Sequence, residues 1–183
     1  DTATTTAANG TITPGYSFGK SESLWSPRVG LLFQPSETQS YYVSFGTSYN
    51  TSGDAYQFTP NSPNQVLANT PPEKSRNFEI GGKWDVLEKR MSLGAAVFYS
   101  EKYNERNQDP DSAATQYLLS GKRYAAGMEF NAAGRITPAW EVFWNHTWIP
   151  LAKISRSNQV LAANGGGAQV EGDRPGLTPR HSG

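Results

Sequence analysis

The stretch YYVSFGTSYN, at residues 41–50, alternates between two kinds of side chain. One side of an extended chain takes Tyr41, Val43, Phe45, Thr47 and Tyr49, while the other takes mostly small polar residues and glycine. Alternation with period two indicates a β-strand between two different environments. The aromatic side of such a strand packs either on a protein core or on lipid.

Five further stretches have the same extended character, so the sequence predicts six long strands in all. The other five lie at residues 26–35, 77–86, 91–104, 117–136 and 140–155. Strands of globular proteins usually have about 5 to 6 residues, whereas a tilted membrane strand needs about 9 to 11. The predicted strands are therefore long enough to cross a bilayer.

Short and long connections alternate strictly along the chain. Short links are predicted near residues 36–39, 87–90 and 137–139, and long loops near residues 51–72, 105–116 and 156–179. In an up-and-down sheet this order puts all tight turns at one end, which is the layout of outer-membrane barrels. The predicted fold class is all-β, an antiparallel up-and-down meander of about six long strands.

Composition excludes several classes of function. Sixteen acidic and sixteen basic residues cancel, and no basic stripe is present, so we expect no nucleic-acid partner. Cysteine is absent, and His146 and His181 lack metal-ligand spacing, so we expect no metal site. Because no Ser, His and Asp arrangement stands out, we predict no catalytic residue and no enzyme. An outer-membrane hydrolase ranks third among the hypotheses.

The large aromatic residues fall near both ends of the predicted strands. Two of them, Trp84 and Trp140, lie next to tight turns, and four lie toward the long loops: Tyr49, Tyr99, Tyr103 and Trp148. Amphipathic rings favour the two membrane interfaces, so this distribution predicts two aromatic belts. The aromatic side is therefore predicted to face lipid.

The opposite side carries polar residues that suit water or a hydrated lumen. We expect Glu79, Lys83 and Glu129 to be structural, forming cross-strand ion pairs together with Arg123. In a soluble sandwich the same face would be the exterior. A soluble all-β ligand-binding module of the carbohydrate-binding type therefore remains the alternative.

Several motifs resemble one known family. They are Pro72-Glu73-Lys74-Ser75 leading into Glu79, Gly81 and Lys83, then Gly121 with Gly127 and Glu129, and last Pro179-Arg180-His181. Their order resembles the barrel of TonB-dependent siderophore receptors, most closely the catecholate type, from about Leu24 to Gly183. The resemblance implies a bacterial outer-membrane barrel of twenty-two strands around a plug, monomeric, which imports a ferric siderophore with energy from TonB.

The resemblance also implies what lies outside residues 1–183. We expect these residues to be part of the C-terminal half of the barrel domain, without the plug, the N-terminal strands and the last strands. TonB would act through the plug, and the barrel would contact outer-membrane lipid. Iron is expected only as cargo, with no cofactor.

A receptor for ferric catecholates needs basic and aromatic side chains near the loops, because these ligands are anionic and aromatic. The candidates, placed near the loop ends of adjacent strands, are Lys102, Arg106, Tyr117, Lys122 and Arg123. A solvated rim explains the same residues, so the sequence leaves their role open.

Overall fold

The computed structural model describes residues 5–6, 12–13, 23–50, 72–108, 117–157 and 170–183. Side chains are described in these ranges except at residues 5–6, 12–13, 106–108 and 117–120. No helix with the length and hydrophobicity of a membrane span occurs in these ranges.

Within the described residues, nine strands form two antiparallel sheets. A small sheet pairs β1 (Thr5–Thr6) with β2 (Ile12–Thr13). The main sheet has seven strands in sequential order: β3 (Arg28–Ser36), β4 (Gln39–Asn50), β5 (Glu73–Val86), β6 (Met91–Gln108), β7 (Tyr117–Thr137), β8 (Trp140–Arg156) and β9 (His181–Ser182). The predicted all-β meander of long strands is confirmed.

The three predicted short links are confirmed and lie at one end of the sheet. They occupy residues 37–38, 87–90 and 138–139. Two of them touch, since Lys89 Nζ lies 2.8 Å from Glu37 Oε2. The long loops fall largely on residues 51–71, 109–116 and 158–169, which lie outside the described residues. One boundary was wrong: residues 105–108 belong to β6, because the strand continues beyond a bulge.

The segment before β9 runs along the edge of β8. Gly172 N donates to Ile154 O at 2.9 Å, and Ile149 N donates to Arg180 O at 2.8 Å. The guanidinium of Arg174 donates to the carbonyls of Ile149 at 2.7 Å and Thr178 at 2.8 Å. Residues 170–183 therefore extend the sheet, although only two of them form a regular strand.

The main sheet is a single layer, so its apolar side chains have little protein to pack on. Ala132 and Ile154 are the buried hydrophobic residues of the described ranges. Ile80, in the middle of β5, remains 51% exposed. Soluble sheets bury such a face against a second layer, and within the described ranges no second sheet or helix covers it.

Strand register arranges the aromatic face in transverse rows. From the tight-turn end, β5 and β6 contribute Val86 with Met91, Trp84 with Leu93, Gly82 with Ala95, Ile80 with Val97, and Phe78 with Tyr99. We call these rows, with their partners on β4, β7 and β8, the apolar band. Eight residue steps on β5 cover about 26 Å along the strand, which is about 20 Å of height at the roughly 35–45° tilt of outer-membrane strands and compares with an apolar band about 25 Å tall.

The polar face carries large side chains over glycines of the neighbouring strands. A Cβ at Gly81 would lie 2.7 Å from the ring of Tyr42, and one at Gly127 would lie 2.9 Å from the ring of Phe98. Phe98 is the residue that interrupts the alternation of β6 in the sequence. Its ring lies over Gly127, so the interruption has a packing reason.

Candidate ligand-binding site on the polar face

Four charged residues meet at the loop end of the polar face. The ammonium of Lys102 lies 3.0 Å from Glu73 Oε2 and 3.7 Å from Glu105 Oε1. The guanidinium of Arg123 lies 2.9 Å from Glu105 Oε1. We call these residues, Glu73, Lys102, Glu105 and Arg123, the lumenal cluster.

The backbone explains why they meet. Lys102 and Arg123 are register partners on β6 and β7, and Glu73 is the first residue of β5. Asn104 has φ of 55°, a left-handed conformation that Asn tolerates better than most residues. It lies in a bulge between Tyr103 and Glu105, so Glu105 pairs with Gly121 and joins the face of Lys102.

Burial separates the two signs of charge within the cluster. The side chains of Glu73 and Glu105 are 8% and 10% exposed, while those of Lys102 and Arg123 are 28% and 31% exposed. The buried carboxylates hold the cations in place and leave part of each cation open to solvent. Lys and Arg carry three and five N–H donors, so an incoming anion can share them with the carboxylates.

A cavity of about 240 Å³ adjoins the two cations. Its wall includes Ser75, Asn77, Ser100, Lys102, Arg123 and Thr178. Ser100 donates a hydrogen bond to Asn77 Oδ1 at 2.7 Å, which orients that amide in the wall. The site thus combines cationic and neutral donors, as the binding of an anionic oxygen-rich ligand requires.

The five candidate rim residues take different positions. Lys102 and Arg123 come together at the cavity, while Lys122 lies on the other face with Nζ 2.6 Å from Glu101 Oε1. Arg106 and Tyr117 lie in β6 and β7, but their side chains lie outside the described residues. Glu73 and Glu105, the partners of the two cations, are not among the residues predicted from the sequence. Asn104 was the one available signal for a bulge.

The residues of the tight-turn belt lie on the aromatic face. The rings of Trp84 and Tyr41 meet edge to face at 5.9 Å, and Trp84 Nε1 donates to the hydroxyl of Tyr41 at 3.1 Å. Trp140 begins β8 beside the last tight link and is exposed. Both residues lie next to tight links, and their place in a membrane belt stays a prediction.

The expected loop-end belt is only partly at the loop end. Tyr49 and Tyr103 flank the ammonium of Lys74, with ring centroids 5.2 and 5.7 Å from Nζ, and Tyr99 stacks on Tyr124. Trp148 pairs with Met128 and so lies in the row of Ile80, inside the apolar band. It therefore lies near the middle of β8 rather than toward the long loops, because it pairs with Met128.

The expected ion pairs of the polar face do not form in the described ranges at Glu79, Lys83 or Glu129. Register places uncharged residues opposite each of them: Ser44 and Phe98 for Glu79, Ser40 and Gly94 for Lys83, and Ala96 and Thr147 for Glu129. Glu79 instead accepts a hydrogen bond from the Tyr42 hydroxyl. Arg123 pairs with Glu105 rather than with Glu129.

The two histidines, which have no shared spacing in the sequence, are neighbours in the fold. His146 Nε2 and His181 Nδ1 lie 3.2 Å apart, because β9 pairs with β8. The ring of His146 also stacks on Trp144, and that of His181 on Trp148. In the described part of the chain no group of three or more His, Cys, Asp or Glu residues is placed to hold a metal.

Comparison with known proteins assigns the family. The family model described as TonB dependent receptor-like, β-barrel, matches residues 1–183. The chain therefore belongs to the TonB-dependent receptor β-barrel family. These barrels lie in the bacterial outer membrane and are receptors rather than enzymes, as the sequence predicted, and the soluble alternative is ruled out.

Two relatives within the family are siderophore receptors. The chain is 34% identical over 151 residues to the catecholate siderophore receptor Fiu of Escherichia coli K12, covering 80% of the chain and 19% of Fiu. It is 35% identical over 128 residues to the probable TonB-dependent siderophore receptor PiuA of Acinetobacter baumannii, covering 67% of the chain and 16% of PiuA. The chain thus spans less than a fifth of the length of either relative.

Solved structures agree on the fold. The closed form of E. coli Fiu superposes with a TM-score of 0.63 at 28% identity, over 94% of the chain and 23% of Fiu. The ferripyoverdine receptor of Pseudomonas aeruginosa, bound to ferripyoverdine, superposes with a TM-score of 0.63 at 20% identity, over 93% of the chain and 21% of that receptor. The single-layer sheet is therefore a section of a receptor barrel wall.

Proposed function

We propose that the chain forms wall and loop-end recognition surface of an outer-membrane receptor for TonB-dependent uptake of ferric siderophores of the catecholate class. The observation that carries the proposal is the pair Lys102 and Arg123 beside a cavity on the polar face. The similarity to a catecholate siderophore receptor supports the choice of ligand class.

The two faces of the sheet have different surroundings in the receptor. The apolar band contacts outer-membrane lipid, and the polar face lines the lumen of a twenty-two-stranded, monomeric barrel. Uptake also needs a plug and TonB, which act through parts of the receptor outside these residues. Iron enters as cargo of the siderophore and is not held by a resident metal site of this segment.

In the lumenal cluster the ligand takes over part of the hydrogen bonds that the two cations make with the carboxylates of Glu73 and Glu105. A ferric catecholate is anionic, so its oxygens accept hydrogen bonds from the N–H groups of Lys102 and Arg123. Its rings lie over the methylene groups of these two side chains and against their cationic ends. Glu73 and Glu105 keep both cations extended before binding, which lowers the entropy lost on binding.

The test uses a full-length receptor that carries this segment, in a strain deleted for its other catecholate receptors. We expect Lys102→Gln with Arg123→Gln to raise the half-saturating concentration of a ferric catecholate at least tenfold. Two charge-assisted hydrogen bonds are lost, each worth about 1.5 to 3 kcal/mol. Lys83→Gln is the matched control, since it removes a cation from the same face near the tight turns.

Uptake of a ferric hydroxamate through the same receptor serves as the specificity control. The proposal predicts catecholate uptake that depends on the two cations and little hydroxamate uptake. Unchanged catecholate uptake in the double variant would overturn the proposed ligand site. Uptake of the hydroxamate alone would overturn the ligand class.

A further inference from the structure

Between the apolar band and the loops, the aromatic face changes from apolar residues to basic residues and tyrosines. The next two transverse rows consist of Thr47, Arg76, Glu101, Tyr124 and Lys153, and of Tyr49, Lys74, Tyr103, Lys122 and Arg156. We call them the interfacial rows. Their ten positions hold five cations, one carboxylate and three tyrosines, on the side of the sheet that the apolar band occupies below.

This excess of positive charge is confined to one place. On the polar face at the same height, Lys102 and Arg123 are balanced by Glu73 and Glu105. At the tight-turn end, the basic residues Lys89, Arg90 and Arg135 are matched in number by Glu37, Glu88 and Glu141. Only the interfacial rows combine a net positive charge with an outward position in the described ranges.

Contacts within the rows hold three of the five cations and leave a net positive charge. Glu101 lies 2.6 Å from both Arg76 and Lys122, which are 49% and 43% exposed, while Glu101 itself is 5% exposed. The ammonium of Lys74 lies over the rings of Tyr49 and Tyr103. Arg76 and Lys122 thus share one buried carboxylate, and both remain partly exposed to the outside.

Position and charge together identify the partner. Tyrosines and basic residues next to an apolar band lie at the level of lipid headgroups, where cations near an anionic surface gain free energy. The arrangement holds several donors within one small area, which suits phosphate oxygens. We propose that the interfacial rows bind phosphate groups of lipids in the leaflet on the loop side of the membrane.

The inference depends on the proposed lipid contact of the apolar band and adds a headgroup preference to it. A full-length receptor carrying this segment is purified in neutral detergent, and retained lipids are counted by native mass spectrometry. The probes are dioleoyl phosphatidic acid, dioleoyl phosphatidylcholine and inorganic phosphate. We expect phosphatidic acid to be retained preferentially, and inorganic phosphate not to displace it at equal concentration.

The main variant replaces Lys74, Lys153 and Arg156 by Gln and keeps both partners of Glu101. Three lost cations weaken the binding of phosphatidic acid on the order of a hundredfold at low salt. The matched control replaces Lys89, Arg90 and Arg135 at the tight-turn end by Gln and keeps wild-type binding. If the triple variant misfolds, Lys153→Gln alone, at an exposed site, still weakens binding about fivefold.

Equal retention of phosphatidic acid and phosphatidylcholine by the wild type overturns the inference, as does equal weakening in the interfacial and tight-turn variants. Tighter binding of inorganic phosphate than of the lipid also overturns it. Binding of a ferric catecholate by the wild type in the same detergent separates the two proposals. A receptor that binds the chelate without preferring phosphatidic acid contradicts only the lipid inference.

Discussion

A single arginine placed in the apolar band should destabilise the barrel much more than one placed on the adjacent polar position. Val97 and Ala96 are neighbours on β6 and point to opposite faces. Val97 belongs to the apolar band, while Ala96 pairs with Gly81 and Glu129 on the polar face. The pair Val97→Arg and Ala96→Arg therefore changes the face and little else.

The magnitude follows from the position of Val97 within the band. The central row contains Gly82 and Ala95, so Val97 lies two residues, or about 7 Å along the strand, from the centre. Arginine on the lipid face costs about 2 to 4 kcal/mol at the midplane and about 0 to 1 kcal/mol near the interface. We expect Val97→Arg to cost about 2 kcal/mol.

Ala96→Arg should cost less than about 1 kcal/mol, because the polar face is hydrated and Glu129 lies opposite. The assay is guanidinium unfolding of the full-length receptor in phosphatidylcholine vesicles, followed by tryptophan fluorescence and gel mobility. Tyr99→Arg, one row nearer the loops, should fall between the two. Equal losses for Val97→Arg and Ala96→Arg, or a larger loss for Ala96→Arg, would refute the assignment of faces.

Three further changes test the local structure in the same unfolding assay. Asn104→Gly should keep the bulge and the stability of the wild type. Asn104→Val should cost about 1 to 2 kcal/mol, because a β-branched residue disfavours the positive φ of this position. Equal stabilities of the two variants would contradict the bulge. Gly127→Ala should cost about 1 to 3 kcal/mol, because its Cβ would clash with the carbonyl oxygen of Trp148. Gly30→Ala, whose Cβ would have 3.7 Å of clearance, should be neutral, and equal losses for the two variants would argue against the register. Glu101→Gln should cost only about 1 kcal/mol of stability, because its partners Arg76 and Lys122 regain water. Replacing both partners by Gln should cost about 3 kcal/mol, because it leaves a carboxylate that is 5% exposed without a cation. A larger loss for Glu101→Gln than for the double variant would show that the carboxylate is not buried.

The features that sequence predicts well here are local ones. Alternation along residues 41–50 and the short links between strands follow from residues close together in the chain, and a meander pairs neighbours in sequence order. The opposite faces of Lys122 and Arg123 were also predictable, since adjacent residues of a strand point to opposite sides.

Other features depend on pairing between distant residues. The place of Glu105 in the lumenal cluster needs the bulge at Asn104, and a bulge inverts the face of everything beyond it. The height of Trp148 depends on register shifts between β7 and β8. The contact of His146 with His181 depends on the backbone bonds that hold residues 170–183 along β8. None of these follows from periodicity alone.

Labelling at single cysteines tests most directly which side of the sheet meets lipid. The chain has no cysteine, so Ile80→Cys and Asn77→Cys each give one labelling site within this segment of a full-length, otherwise cysteine-free receptor. Spin labels at both sites are exposed to oxygen and to a water-soluble nickel chelate in reconstituted vesicles. We predict that the label at residue 80 relaxes mainly with oxygen and the label at residue 77 mainly with nickel. Stronger relaxation by nickel at residue 80 than at residue 77 would contradict the account.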